Sequence, residues 1–479
     1  MLKKLVILTA FLGIVLWLCI YFYQAFERIS GHSSYPDLDF IRKRGKLIAV
    51  TDYNSINYFV YKGEPMGFNY ELLRSFSDHI GIDIEIIAEN DIEDAFALLK
   101  SGEADLLALN LTVNNSRKKQ IHFTDPIDET RQVLVQRKPA KWRSMTAEES
   151  ERRIIRNQLE LAKKTIYVQK SSSYKERLVS LSSEIGDSIR VIEVPTETEK
   201  LIREVAEGKI DYTICDENIA LVNERYYSNI DVRTPVSFPQ NIAWAVRKRN
   251  SEDLLNELNK WIETYKKSGA YAFLYAKYYR NSRSTRIVNS DYYALSTGRV
   301  SQYDDMIKQF SDSINWDWRL LASLICQESR FRANVKSGAG AYGLMQIMPM
   351  TGEIYGIDIT SSPKNNMKAG ILYINWLHSI FDPRIADEKE RIMFILASYN
   401  AGPGHVLDAM RLAEKNGMDP KKWEGNVAVW LQKKYDPKYY NDSVVKNGYF
   451  RGTESIAFVS EILERYEHYK NVIPSGMPY

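Results

Sequence analysis

Near residue 300 the hydrophobic pattern of this 479-residue chain changes period, and that change limits what each half can fold into. From Lys46 onward, short β-branched and aliphatic runs at residues 47–50, 82–88, 104–108, 165–168, 191–194 and 212–214 alternate with longer stretches. In those stretches, at 70–80, 91–101 and 253–279, apolar residues recur every three to four positions. Strand-sized runs separated by helix-sized ones predict an α/β domain with largely parallel sheets. After Ser301 only the helical period persists, through residues 316–326, 367–381, 391–399 and 453–469, which predicts an all-α domain. Residues 281–300 are rich in Ser, Arg, Asn and Thr, have no period, and read as a linker. A chain of this length exceeds one ordinary core, so two folded units are expected, at about 46–280 and 301–479.

The N-terminus is a third kind of segment. Lys3 and Lys4 precede an apolar run over residues 5–26, long enough as a helix to span ~30 Å, the thickness of a bilayer core. Positive charge ahead of the run predicts an N-terminus inside and the rest of the chain exported to the periplasm. A cleaved signal peptide and a lipidated Cys19 are the alternatives. Trp17, Leu18 and Ile20 to Tyr23 offer no small-residue cleavage site, so an uncleaved anchor fits best. Which membrane would hold it is not written in the run. Residues 27–45 are polar and mixed and read as a tether.

Charge and cysteine content narrow the chemistry. A formal net charge of +3 gives no reason to expect nucleic acid as a partner. Cys19, Cys215 and Cys326 are far apart and lack metal-ligand spacing, so no disulfide framework, metal site or cofactor is expected. The 31 Tyr residues could face sugar rings, but half-burial in helices accounts for most of them equally well.

In the helical half, Gln327, Glu328 and Ser329 close the apolar run 316–326. A carboxyl at the end of an apolar helix can lose its water, keep its proton at neutral pH and serve as a general acid on a glycosidic oxygen. Taken alone, such a Glu reads more simply as a solvated surface group. The residues after it change that. Residues 337–341 form a small-residue turn starting at Ser337, then come Gly343, Leu344, Met345, Gln346, Ile347 and Met348, and later Tyr399 and Asn400 ahead of Gly402. Glu328-Ser329, Gly343-Leu344-Met345-Gln346 and Tyr399-Asn400, in this order, resemble the soluble-lytic-transglycosylase family, over about residues 301–470.

That resemblance implies an all-α, goose-type-lysozyme-like fold. It implies cleavage of the MurNAc–GlcNAc bond of peptidoglycan, with Glu328 acting first as acid and then as base on the muramoyl C6 hydroxyl, leaving 1,6-anhydro ends. Ser337, Gly343, Gln346 and Met348 fall on sugar-contacting positions, and Tyr399 and Asn400 on the pair that shapes the site. Met345 reads as core. Ordinary glycosidases use two carboxylates. These motifs hold only one, which suffices if the nucleophile belongs to the substrate. A lysozyme-like hydrolase and a non-catalytic wall-binding sensor are the alternative functions. Two positions depart from the family: Ser398 stands where Ala is more frequent, and Phe458 where many members carry Tyr.

In the α/β half, four pieces resemble the periplasmic solute-binding proteins of the polar amino-acid class: residues 67–72, 101–105, 114–119 and 122–126. The resemblance implies two lobes, the second over about residues 138–238, closing on a small ligand. Arg117 matches the residue that clamps a ligand carboxylate, and Asp216 the acid that holds its amino group. Without the resemblance, Arg117 reads as a surface charge and Asp216 as a helix N-cap. Asn114 stands where Thr is usual, and Ser residues at 171–173 where Gly is common, so the ligand is open between a cell-wall peptide and an amino acid. Together the halves read as a membrane-anchored cell-wall enzyme carrying a ligand-sensing domain.

Overall fold

The computed structural model describes residues 37–281 and 283–473. The apolar run read as an anchor lies outside these residues. Among the described residues no helix is long and apolar enough to cross a membrane. The end of the segment read as a tether is a helix, Asp37–Arg44, with Leu38 and Ile41 buried. Asp37 accepts a hydrogen bond from the Leu254 N–H at 2.9 Å, so this helix is fastened to the α/β domain. Leu38, Phe40 and Ile41 in a polar stretch were too few to reveal it.

The first lobe opens with β1 (Lys46–Thr51) and a hairpin of β2 (Phe59–Tyr61) and β3 (Glu64–Met66). It continues with β4 (Asp83–Ala88), β5 (Leu106–Thr112), β6 (Ile121–Phe123) and β7 (Asp128–Thr130). The chain then builds the second lobe from β8 (Gln132–Arg137), β9 (Thr165–Gln169), β10 (Arg190–Val194), β11 (Tyr212–Asp216) and β12 (Ile230–Pro235), and returns to the first with β13 (Gln240–Arg247). The first sheet runs β4-β1-β5-β13-β6, with β7 beside β13, and the second runs β10-β9-β11-β8-β12.

The sheets are mixed and not largely parallel. The β1–β4, β1–β5, β9–β10 and β9–β11 pairs are parallel, as the alternating pattern predicts. β8 and β13 pair antiparallel to their neighbours because they are where the chain passes from lobe to lobe and back. The lobes meet across a cleft. Ser55 donates from its backbone N–H (3.0 Å) and Oγ (2.5 Å) to Glu199, Gln169 Nε2 to the Asn90 carbonyl (3.1 Å), and Ser173 Oγ to Thr112 Oγ1 (3.1 Å).

The segment 281–300 read as a linker is packed. It contains the helices Arg283–Val288 and Ala294–Thr297, and Tyr293 is buried with its ring edge-on to Phe59 at 5.6 Å. Beyond it every regular element is helical. Trp318–Ser329 packs against Thr453–Val472, which also packs against Glu388–Ala401 and touches β2, β3 and β4 of the first lobe. The final helix is thus shared between the two domains.

Candidate active site and interlobe cleft

The helix carrying Glu328 begins at Asp317, whose carboxylate accepts the Arg319 N–H and caps the first turn. Leu320, Leu321, Leu324 and Ile325 are buried along it. It stops at Arg330 (φ 50°), whose N–H donates to the Cys326 carbonyl, and Phe331 also has positive φ (57°). Two consecutive non-glycine residues in the left-handed region cost about 1 kcal/mol or more each. The burial of Phe331 offsets part of that cost.

Glu328 sits two residues before this stop, half-buried. Among the described residues no donor or cation pairs with it, and loss of water alone pushes its carboxyl up to about 8. Burial first, and the Glu328 carboxylate second, hold the Tyr399 phenol well above its ordinary value. The Tyr399 hydroxyl points elsewhere, donating to the Met345 carbonyl at 2.7 Å. Tyr399 therefore ties the helix Glu388–Ala401 to the loop that carries Met345.

That loop is held by internal hydrogen bonds. Gly343 has φ +81°, and a Cβ there would lie 2.4 Å from Asn366 Nδ2. Gln346, at φ 47°, donates from Nε2 to the carbonyls of Gly343 (2.9 Å) and Val335 (3.1 Å). Ser337 Oγ accepts the Ala341 N–H at 3.0 Å and closes the small-residue turn. Met345 is buried core, while Met348 is 43% exposed. Asn400 turns toward the final helix, accepting from Ser455 Oγ at 2.6 Å. Tyr399 is thus bonded to the 343–346 loop, whereas the side chains of Ser337, Gln346 and Asn400 are engaged in local hydrogen bonds.

Two residues passed over in the sequence complete the picture. Asn366 is buried on the helix Pro363–Phe381, accepts the Met345 N–H (2.9 Å) and donates to the Tyr342 carbonyl (2.8 Å). It fixes both sides of the Gly343–Gln346 turn from twenty residues away. Tyr373 on the same helix lies 5.5 Å from the Tyr399 ring and stacks on the half-exposed Trp376. An Asn or Tyr at helical spacing gives no separate signal. Only the Pro at N1 and the Ser362 cap mark where that helix begins.

In the interlobe cleft Arg117 is 8% exposed, so it is not a surface charge. Its guanidinium donates to the carbonyls of Thr112 (3.2 Å) and Ser171 (3.3 Å), one from each lobe. Asp216 occupies the N-cap position of the helix Glu217–Tyr226, but its side chain makes no capping bond. Burial pushes its carboxyl up to about 7, against the opposing pull of Tyr174 and Arg117. Both line one cavity, which also contains Asp52, Glu89, Glu197 and Glu199. No ion pair within 4 Å joins Arg117 to Asp216 among the described residues.

Residues 46–281 match the family described as bacterial extracellular solute-binding proteins, family 3, and residues 305–421 match the transglycosylase SLT domain. Among curated relatives, a membrane-bound lytic murein transglycosylase F of Desulfosudis oleivorans is 34% identical over 433 residues, covering 89% of this chain and 90% of its own. One from Pseudomonas fluorescens is 30% identical over 439 residues, covering 90% and 86%. A solved ancestral amino acid-binding protein, a precursor of cyclohexadienyl dehydratase, aligns with a TM-score of 0.43 at 24% identity, covering 51% of this chain and all of that one.

Proposed function

The chain belongs to the family of membrane-bound lytic murein transglycosylases F, and from that premise we propose which of its residues perform the reaction and which control it. It is an enzyme that cleaves peptidoglycan. Glu328 is the single acid and base. The observation that carries this assignment is its isolation: a half-buried carboxyl with no hydrogen-bond or ion-pair partner among the described residues, its pKa pushed up by burial. A two-carboxylate glycosidase places its second acid within ~10 Å, close enough to raise or lower the first.

In the proposed sequence the Glu328 O–H gives its proton to the glycosidic oxygen as the bond from muramoyl C1 to that oxygen breaks. The resulting carboxylate then takes the proton of the C6 hydroxyl as O6 bonds to C1, closing the 1,6-anhydro ring and restoring the acid. The nucleophile is already part of the substrate, so proximity supplies much of the acceleration. Ser337, Gly343, Gln346, Met348, Tyr399 and Asn400 form the walls that receive the glycan strand.

The α/β domain would bind a small ligand, a cell-wall peptide or an amino acid, through Arg117 and Asp216 and bias the activity of the catalytic domain. A bidentate guanidinium suits a carboxylate, and its burial keeps competing water away. We place the enzyme in the periplasm, membrane-associated through its N-terminal run. Digested sacculi analysed by mass spectrometry test the chemistry. Anhydro ends are expected from the wild type and none from Glu328→Gln, whereas reducing ends would mean hydrolysis. Cleavage rates with and without muropeptides test the control, and an unchanged rate together with no calorimetric binding would refute it.

A further inference from the structure

Twelve large hydrophobic side chains are exposed among the described residues, and four of them, Met348, Met350, Ile354 and Trp376, fall on one short part of the catalytic domain. Met348 directly follows the Gly343–Gln346 loop and caps the helix Pro349–Ile354, which carries Met350 and Ile354. Trp376 lies on the helix Pro363–Phe381, which packs against it. The Tyr355 hydroxyl fastens the two by donating to the Leu372 carbonyl at 3.3 Å. Single exposed apolar residues need no explanation, but several on neighbouring elements that continue an active-site loop mark a binding surface.

A row of rings joins this surface to the wall of the site. Tyr399, bonded to the Met345 carbonyl, has its ring centre 5.5 Å from that of Tyr373. Tyr373 in turn lies 5.6 Å from Trp376, and these two rings stack at 24°. Tyr399 and Tyr373 are half-buried, whereas Trp376 is 46% exposed. The row therefore leads from the site out to solvent, in steps close to the length of one pyranose unit. Stacking on Tyr373 orients the indole while leaving much of it in water, which forfeits burial that a Trp would otherwise gain.

The occupant that such a surface fits is the glycan backbone. A pyranose ring presents a face of C–H bonds, and the negative face of an aromatic ring attracts it. Met348, Ile354, Tyr373 and Trp376 carry no charge, so the carboxylates and ammonium groups of stem peptides find no partner among them.

We propose that Trp376, stacked on Tyr373, is a specificity-determining residue of the catalytic domain: a platform for a sugar ring of the strand away from the bond that Glu328 cleaves, so that long glycan strands are favoured over short fragments. The inference rests on the reading of Tyr399 and Met348 as walls of the glycan site. A contact remote from the reacting bond is made equally before and during reaction, so it acts on KM more than on kcat.

Cleavage of long peptide-free glycan strands and of a tetrasaccharide by the full-length protein tests this. Trp376→Leu is expected to raise KM for the long strands about fivefold or more, with a smaller change in kcat, and to shrink the preference for them over the tetrasaccharide. Trp376→Phe should recover most of the affinity, because it keeps an aromatic face. Fluorescence gives a reading independent of turnover. Long strands added to the Glu328→Gln protein should change its tryptophan emission, and adding Trp376→Phe to that variant should shrink the change. An unchanged KM in Trp376→Leu, with Glu328→Gln inactive, would overturn the platform and leave the catalytic assignment intact. Trp376→Phe no better than Trp376→Leu would overturn it too, since the ring would not be what the strand meets. A defect confined to peptide-bearing sacculi would assign the surface to stem peptides and overturn the glycan platform. Cleavage by Glu328→Gln at the wild-type rate would instead overturn the reading of the site on which the platform rests.

Discussion

A carboxyl withdrawn from water and from every cation keeps its proton, and the consequences for Glu328 can be worked out for both rate and stability. Its acid form is the one present below a pKa of about 8, so cleavage should fall as pH rises through that value. Glu328→Gln should lower the rate at neutral pH by about 100-fold or more, as loss of a general acid does. Stability moves the other way. The native carboxyl holds a proton that the unfolded chain releases near its ordinary value of 4.5. Its contribution is therefore fully present below that pH and lost as pH rises toward 8. The Gln variant escapes this loss, so its unfolding free energy should exceed that of the wild type by a margin growing between pH 5 and 8, on the order of 1–3 kcal/mol at the top. A margin that does not change with pH would mean Glu328 is not desolvated. Ser398 offers a second residue-scale test. It is fully buried on the helix Glu388–Ala401, and its Oγ finds no hydrogen-bond partner among the described residues. Ser398→Ala removes an unsatisfied hydroxyl at little cost in volume, so thermal melts should show a gain of about 1 kcal/mol with activity unchanged.

At the scale of elements, the β2–β3 hairpin is the piece whose role follows least from its own sequence. Its turn residue Gly63 (φ +78°) is enclosed by the catalytic domain: a Cβ there would meet Phe331 at 2.6 Å, the Tyr469 hydroxyl at 2.7 Å and Cys326 Sγ at 3.1 Å. The Tyr469 hydroxyl donates to the Gly63 carbonyl at 2.8 Å, and Tyr292 in the segment 281–300 accepts from the Lys62 N–H. Gly63→Ala should therefore pay backbone strain and overpacking together. Gly81→Ala pays strain alone, since Gly81 has φ +65° and nothing within 4 Å of its Cβ direction. Thermal denaturation should find Gly63→Ala less stable than Gly81→Ala by about 1–3 kcal/mol, and only Gly63→Ala should slow cleavage, because Phe331 and Cys326 flank Glu328. Equal losses would show that the hairpin is not tightly docked. Nothing local in the sequence says what the turn at Lys62-Gly63 touches. The strands at 47–50 and 165–168 and the helix ending in Glu328 were legible because periodicity and burial are local properties. The crossing strands β8 and β13 were not, since their place is set by partners from distant segments. Asn366 escaped for the same reason: it satisfies a turn in another motif, which no spacing encodes.

At the scale of the whole molecule, the final helix Thr453–Val472 contacts both domains, and the proposed control of Glu328 by a ligand between the lobes would pass through it. On one side it holds the catalytic helix, with Ser323 Oγ donating to the Ile462 carbonyl (2.6 Å) and Arg465 to Gln327 (2.9 Å). On the other it holds the first lobe, with Tyr58 Oη bonded to His468 Nδ1 (2.8 Å), Arg74 to Glu464 (2.8 Å), and Asn471 Nδ2 to the Ile86 carbonyl (2.7 Å). Tyr58 follows Asn57, the residue that holds Asp52 in the cavity, so one short segment touches both the ligand site and the shared helix. Among the described residues no hydrogen bond fastens the second lobe to Thr453–Val472, whereas its helix Glu217–Tyr226 packs against Ala276–Arg280 and Arg283–Val288. The proposed control then has a testable form: ligand binding in the cleft would order residues 52–58, and the hairpin and the shared helix would inherit that order. Hydrogen exchange on the full-length protein should show ligand-induced protection at residues 59–66 and 453–472 as well as in the cleft. Tyr58→Phe should leave cleft protection intact and reduce protection in 453–472, because it removes the buried bond to His468 without emptying the space around it. Protection confined to the cleft in the wild type would mean that the two domains share a helix without sharing a signal.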